Sequence, residues 1–313
     1  MKLIACSIGA VVLSVASCLA FMPAVAQNKP IASPDVVTDG ALQQLYLDLP
    51  IAKLPTQRAA DGHPELSGFW NNSFAGLSLK GTDGLYGFLL GPKRDANKSL
   101  PRYPEPSEPS YKPEFAAKVK EIVDGQVGPT TPLDPEMDCK PLGVPRASAG
   151  PLQIVQNPRF VAILYESNFI GQTFRIIYTD GRPHPKDLDS SFLGDSIGHW
   201  ERDTLVVDVT GLNDETWLGG AQGHTETPAF GETGGHQIIE RYALIHSDQE
   251  HVTERYTRHG NMLIYEATVE DPVMFTRPWV LTPRHLLLGG SDDRLFESYC
   301  NNHDKSHLVT SPK

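Results

Sequence analysis

The segment HVTERYTRHGNMLIYEATVE (251–270) decides the fold. Side-chain character alternates with period two on both sides of a glycine, the pattern of two half-buried strands joined by a tight turn. Turning at His259-Gly260 or at Gly260-Asn261 gives the same two faces, because both choices keep the parity of the pairing. One face collects Val252, Glu254, Tyr256, Leu263, Tyr265, Ala267 and Val269; the other collects His251, Thr253, Arg255, Thr257, Ile264, Glu266, Thr268 and Glu270. The first is the more apolar and belongs against a core. Glu254 therefore points inward, where a carboxylate is either paired or neutralised. That makes it a candidate acid/base group. The structural alternative is a buried ion pair, for instance with Arg241.

Upstream, a second hairpin turns at Arg202-Asp203. Ladder pairing puts Gly198, Trp200, Leu205, Val207 and Val209 on one face, and Ile197, His199, Val206 and Asp208 on the other. Further strand-like runs lie at 152–156, 159–166, 173–179, 236–246, 277–282 and 293–299. Short connections and the lack of βαβ alternation predict an antiparallel meander closed as a mainly β barrel. The barrel domain spans 66–300, preceded by an N-terminal arm at 27–65 and followed by a tail at 301–313. Within it, the Gly- and Pro-rich stretch 81–135 holds a Pro-rich strap, PRYPEPSEPSYKP (101–113), and one short helix, PEFAAKVKEIVDG (113–125). Pro opens that helix, Phe115, Val119 and Val123 share a face, and Gly125 ends it. Gly68-Phe69-Trp70 opens the barrel and would lay an indole across one end.

The N-terminus reads as a secretion signal over 1–26: Lys2, an apolar run from Leu3 to Leu19, and Ala24-Val25-Ala26 as the cleavage site. A lipoprotein tethered at Cys18 is the lesser alternative. A periplasmic or secreted location follows. Past the leader only Cys139 and Cys300 remain, which suggests one disulfide in an oxidising compartment. No other window is apolar enough to span a bilayer. The net charge of −11 becomes one unit more negative once Lys2 is removed, and no basic stripe offers itself to nucleic acid.

Polar residues of several chemical types sit between the strands. Asp180-Gly181-Arg182-Pro183-His184-Pro185 is a turn stiffened by two prolines, able to present Arg182 and His184 to a ligand or simply to shape a loop. Asp195 begins a strand and is either functional or a cap. Asn213 and Asp214 end another strand, with Trp217 behind them, as a turn or as a pocket wall. His246-Ser247-Asp248, followed by His251, matches no zinc spacing and reads as a polar turn. There is no Gly-x-Ser-x-Gly, no phosphate loop and no HExxH, so neither a cofactor nor a metal is called for.

Several of these pieces fall into one pattern: QIVQ (153–156), ILYE (163–166), IYTDGRPHP (177–185), GDSIG-x-WE (194–201), DTLVVD (203–208), G-x-ND-x-TWL (211–218), HSD (246–248), VTERYTR (252–258), YEATVEDP (265–272) and FTRPW (275–279). Together they resemble a widespread family of exported bacterial proteins with no established activity, and the overall pattern is similar to a lipocalin-like small-molecule barrel. The family usually carries Arg where His199 stands and Gly where Arg202 stands. Its corresponding stretch is shorter than Gly219 to Ile245 here, so either His224-Thr225-Glu226 or His246-Ser247-Asp248 holds the equivalent place. The resemblance implies a site map without naming a reaction.

The expectation is an exported, cofactor-free acid/base enzyme, an isomerase, lyase, cyclase or hydrolase, acting on an apolar or aromatic small molecule inside the barrel. Glu254 or Asp195 would serve as base and His184 or His246 as acid. Arg182 or Arg255 would hold an anionic group; Trp200, Trp217 and Tyr265 would form the wall, with Asn213 and Asp214 at the pocket. The alternative is a periplasmic carrier of the same ligands. A third reading, a cell-envelope structural module, predicts an interior filled by side chains. Oligomeric state stays open.

Overall fold

The computed structural model describes residues 43–44, 46–71, 109–125, 134–149, 151–166, 173–220, 243–281, 283–297 and 300. All lie in the compact unit Val37–Lys313. The leader with Cys18, most of the Pro-rich strap, His224, Arg241 and the C-terminal tail lie outside the described residues.

Twelve described strands are β1 (Gly68–Asn71), β2 (Leu152–Asn157), β3 (Phe160–Tyr165), β4 (Thr173–Tyr178), β5 (Asp195–Glu201), β6 (Thr204–Thr210), β7 (Trp217–Gly220), β8 (Ala243–Ile245), β9 (His251–His259), β10 (Met262–Glu270), β11 (Trp279–Val280) and β12 (Arg284–Leu288). Nine of them close a ring in the order β10-β12-β1-β2-β3-β4-β5-β6-β9, with β9 pairing back onto β10. β11 adds to β10 beyond β12, and β7 pairs only with β8.

The ring is mixed rather than purely antiparallel, because β4 and β5 run parallel. Strand directions cannot alternate all the way round an odd ring, so nine strands need a parallel pair. A parallel pair cannot be joined by a tight hairpin; the chain must travel back before re-entering the sheet. Residues 179–194 make that return.

The two hairpins phase as their alternation requires. His259 pairs with Met262 across Gly260-Asn261, and Glu201 pairs with Thr204 across Arg202-Asp203. Val252, Glu254, Tyr256, Leu263, Tyr265, Ala267 and Val269 are all buried, as are Leu205, Val207 and Val209. Arg202 takes a left-handed φ of 57° in its turn, a conformation that costs an L-residue with a side chain more than glycine.

Other expectations change at the C-terminal side. The last described strand is Arg284–Leu288, and residues 293–297 of the expected strand 293–299 form none. The run at 277–282 contributes only Trp279–Val280. Among the described residues one long helix, α1, spans Pro113–Gly125 and packs Phe115, Val119, Ile122 and Val123 against the core. Just before it, Lys112 N–H donates to Met274 O, and Thr276 N–H donates to Ser110 O. The described end of the strap is thus laced to the chain after β10. Cys139 and Cys300 form a disulfide across a sequence separation of 161.

Trp70 is fully buried, and its Nε1–H donates to Leu66 O at 2.8 Å. The Arg258 guanidinium lies 5.3 Å from the indole and donates to Gly260 O and to Glu65 O. One cation thereby ties the chain entering β1 to the β9–β10 turn. The arm before β1 covers the outside of β10 and β12: Tyr46 stacks on His285 at 3.7 Å, and Gly260 N–H and Asn261 N–H donate to Thr56 Oγ1 and Ile51 O.

Candidate functional site

Three polar groupings stand out, and the sequence candidates divide among them. The first fills the barrel. Arg175, on β4, makes a two-pronged pair with Glu254, on β9, through Nη1 at 2.7 Å and Nη2 at 3.1 Å. The hydroxyls of Tyr256 and Tyr265 donate to Glu254 Oε1 at 3.1 and 2.9 Å. Ser196 and Ser148 complete the shell. Glu254 is fully buried, out of reach of solvent. Burial works against the Arg175 cation, but the Glu254 carboxylate outweighs it and holds the guanidinium well above its ordinary pKa. Burial, then Glu254, pushes Tyr256 and Tyr265 well above the usual phenol range. This is a two-pronged, multiply hydrogen-bonded ion pair in a low-dielectric core, with Arg175 Nε left without a hydrogen-bond partner.

The second grouping lies on the outer face, where β5 and β9 begin and β6 and β10 finish. Because β4 and β5 are parallel, the returning segment 179–194 carries His184 over β5 and β6. His184 Nδ1–H donates to Asp195 at 2.6 Å, and its Nε2 faces Asp208 Oδ2 at 3.5 Å. His184 Nε2 is itself buried and has no hydrogen-bond partner. From β9, His251 bonds the other oxygen of Asp208 through Nε2 and reaches Glu270 through Nδ1 at 3.1 Å. The result is an alternating chain, Asp195–His184–Asp208–His251–Glu270. Burial lowers the His251 pKa, but its bonds to Asp208 and Glu270 more than compensate and leave it raised. Among the described residues, no three such side chains converge on a point that could hold a metal ion.

The third grouping is buried above β7 and β8. Thr216 Oγ1 lies 3.0 Å from His246 Nε2, and His246 Nδ1 lies 2.7 Å from Glu250. Asp271 accepts from the amide and hydroxyl of Ser247 and from the amides of Val273 and Met274. Burial raises the Glu250 pKa; it also opposes the His246 cation, which Glu250 nonetheless holds above the usual imidazole range.

The structure brings His184 to Asp195, and Glu254 to Tyr265, but it does not gather the candidates into one pocket. Arg182 donates to Asp180 and stacks 3.8 Å over Tyr178. Arg255 pairs with Glu201 at 3.0 Å, beside a surface pocket of about 460 Å³ lined by Glu201, Arg202, Asp203, Thr204 and Arg255. Trp200 stacks on His63 at 4.5 Å. Trp217 belongs to the core, and Asn213 caps Glu215 N–H beside an exposed Asp214. Alternation places His251 and Glu270 on the outer face of one hairpin and Asp208 on the less apolar face of the other, and none of the three is among the sequence candidates. The signal that finds them is the cross-strand pairing of His251 with Glu270.

No family model matches the chain, and neither a curated protein nor a solved structure matches it. Fold and site define a closed, mixed nine-strand β-barrel with one disulfide, a buried ion pair inside and an imidazole–carboxylate chain outside. The barrel class agrees with a lipocalin-like architecture, and the disulfide agrees with export.

Proposed function

We propose that the protein is an exported acid/base enzyme acting on an apolar or aromatic small molecule, with its reacting groups in the outer imidazole–carboxylate chain. The observation that carries this reading is His184, fixed by Asp195 at 2.6 Å, with its other nitrogen unpartnered and turned toward Asp208. A carboxylate that orients an imidazole sets its tautomer and leaves the far nitrogen to move a proton. In this reading Asp195 is the positioning group, and Glu254 holds the barrel instead of reacting. The Asp208 side chain is 49% exposed, so a solute can approach it, and the buried His184 Nε2 lies directly behind it; nothing comparable is true of Glu254.

The test incubates the mature protein with a small-molecule extract of its own compartment and follows every species by mass spectrometry. The expected result is a compound converted by the wild type and left intact by His184→Ala and by Asp195→Asn. Conversion that both variants retain removes the assignment. A compound that co-purifies unchanged instead supports the carrier. The packed interior around Glu254 favours a second reading, the structural envelope module, which predicts neither conversion nor a bound compound.

A further inference from the structure

We propose that the outer wall formed by β2, β3 and β4 is the interface of a two-fold dimer, covered by the same wall of a second copy of this chain. The inference goes beyond the acid/base reading and concerns a different wall of the barrel. Three observations carry it. First, these strands do not alternate: β3 reads FVAILY and β4 reads TFRIIY. Val161, Ile163, Tyr165, Arg175 and Ile177 are buried inside. Ala162, Leu164, Phe174 and Ile176 point the other way. Cross-strand pairing makes them one face, since Val155 pairs with Ala162, Ala162 with Ile176, and Leu164 with Phe174. The outward face of β9, by contrast, is His251, Thr253, Arg255 and Thr257. A strand that is apolar on both faces is normally one covered on both.

Second, the face is open. Phe174 is 67% exposed and Val155 48%, and Leu164 is exposed beside them. Phe296 is exposed as well and extends the face past the end of β3, where its N–H donates to Glu166 at 2.9 Å. Three strands of six residues present roughly 300 Å² in projection. Projecting side chains and Phe296 enlarge this toward the roughly 600 Å² that each partner gives to a weak specific interface.

Third, the two ends of the face carry opposite charge. Arg159 precedes β3 and Glu166 follows it. The Arg159 side chain is 77% exposed and comes no nearer to Asp180 than 3.8 Å. A two-fold axis lying in the interface at right angles to β3 runs the two copies of that strand antiparallel. It sets Arg159 of each copy against Glu166 of the other. Ala162, the smallest outward side chain of the face, lies midway between them and meets its own copy, so the walls can close. The net charge of −11 opposes an anionic lipid surface, which leaves a second copy as the better occupant.

The test is sedimentation velocity of the full disulfide-bonded protein across a concentration series. Wild type is expected to pass from monomer to dimer as concentration rises. Phe174→Lys should lose the dimer. Val280→Lys should keep it, because Val280 is 65% exposed but sits on β11, beyond β10 on the far side of the ring. Arg159→Glu and Glu166→Arg should each weaken the dimer, and the two together should regain most of it. Ala162→Cys should cross-link to its own copy under mild oxidant, read on a non-reducing gel. Wild type that stays monomeric up to about 1 mM, the weak end of measurable association, overturns the proposal. A dimer that Phe174→Lys leaves intact also overturns it. A monomer that floats with neutral phosphatidylcholine vesicles, and stops doing so as Phe174→Lys, would assign the face to lipid instead.

Discussion

At the scale of single residues, Glu254 carries the clearest consequence. Its inward direction follows from alternation in 251–270, and its partner proves to be Arg175. Replacing it with the isosteric Gln leaves the Arg175 guanidinium in the core without its anion. Breaking a buried pair on one side costs roughly 3–5 kcal/mol. Glu254→Gln should therefore lower the urea midpoint strongly, whereas removing both charges, as Arg175→Met with Glu254→Gln, should recover much of the loss. A single variant as stable as wild type would mean that the pair does not hold the barrel. Arg175 was hidden from sequence reading for a physical reason. In β4 the bulkier apolar set is Phe174, Ile176 and Tyr178, which faces outward, with Phe174 67% exposed. Period-two logic assigns the apolar set to the core and so hides the buried cation. The His184–Asp195 pair was nearer to hand, because both residues flank one loop. Its extension to Asp208 and His251 depends on β6 lying beside β9, which neither hairpin states alone.

At the scale of elements, hairpins were legible and ring closure was not, since turn chemistry reports only sequence neighbours. β12 escaped because RHLLL is short, hemmed by Pro283 and by Gly289-Gly290, and carries a polar pair at its start. That strand holds His285 under Tyr46 of the arm. Burial, then the charge of His259, pushes the His285 pKa down to about 3. An unfolded histidine takes up its proton near 6.5. Between these values the unfolded chain binds one more proton than the folded one, so stability falls as pH drops from about 6.5 toward 3. His285→Phe keeps an aromatic ring against Tyr46 and removes that proton. Its unfolding free energy should decline less than that of wild type between pH 7 and pH 4. Parallel curves for the two proteins would show that His285 titrates normally and that the arm does not seal it.

At the scale of the whole molecule, the disulfide joins two places that the strand ladder does not. Cys139 follows the short 3-10 turn Pro135–Asp138, and Cys300 lies beyond β12. Neither cysteine belongs to a strand of the ring, so the barrel closes through its own pairings whether or not the bond forms. What the bond restricts is the unfolded chain. Tying residues 161 apart removes loop entropy worth about 5 kcal/mol in the chain-entropy account. Cys139→Ser with Cys300→Ser should therefore keep the near-ultraviolet spectrum of the native core while its denaturation midpoint falls well below that of the oxidised protein. Wild type treated with reductant should move to the same midpoint, because the two differ from the oxidised chain by the same constraint. A double variant as stable as oxidised wild type would place the restraint elsewhere. One that loses the native spectrum would show that the bond builds the barrel and does more than narrow its unfolded ensemble. The first outcome is expected because the Arg175–Glu254 pair, the Trp70–Arg258 contact and the ring ladders all remain in the variant.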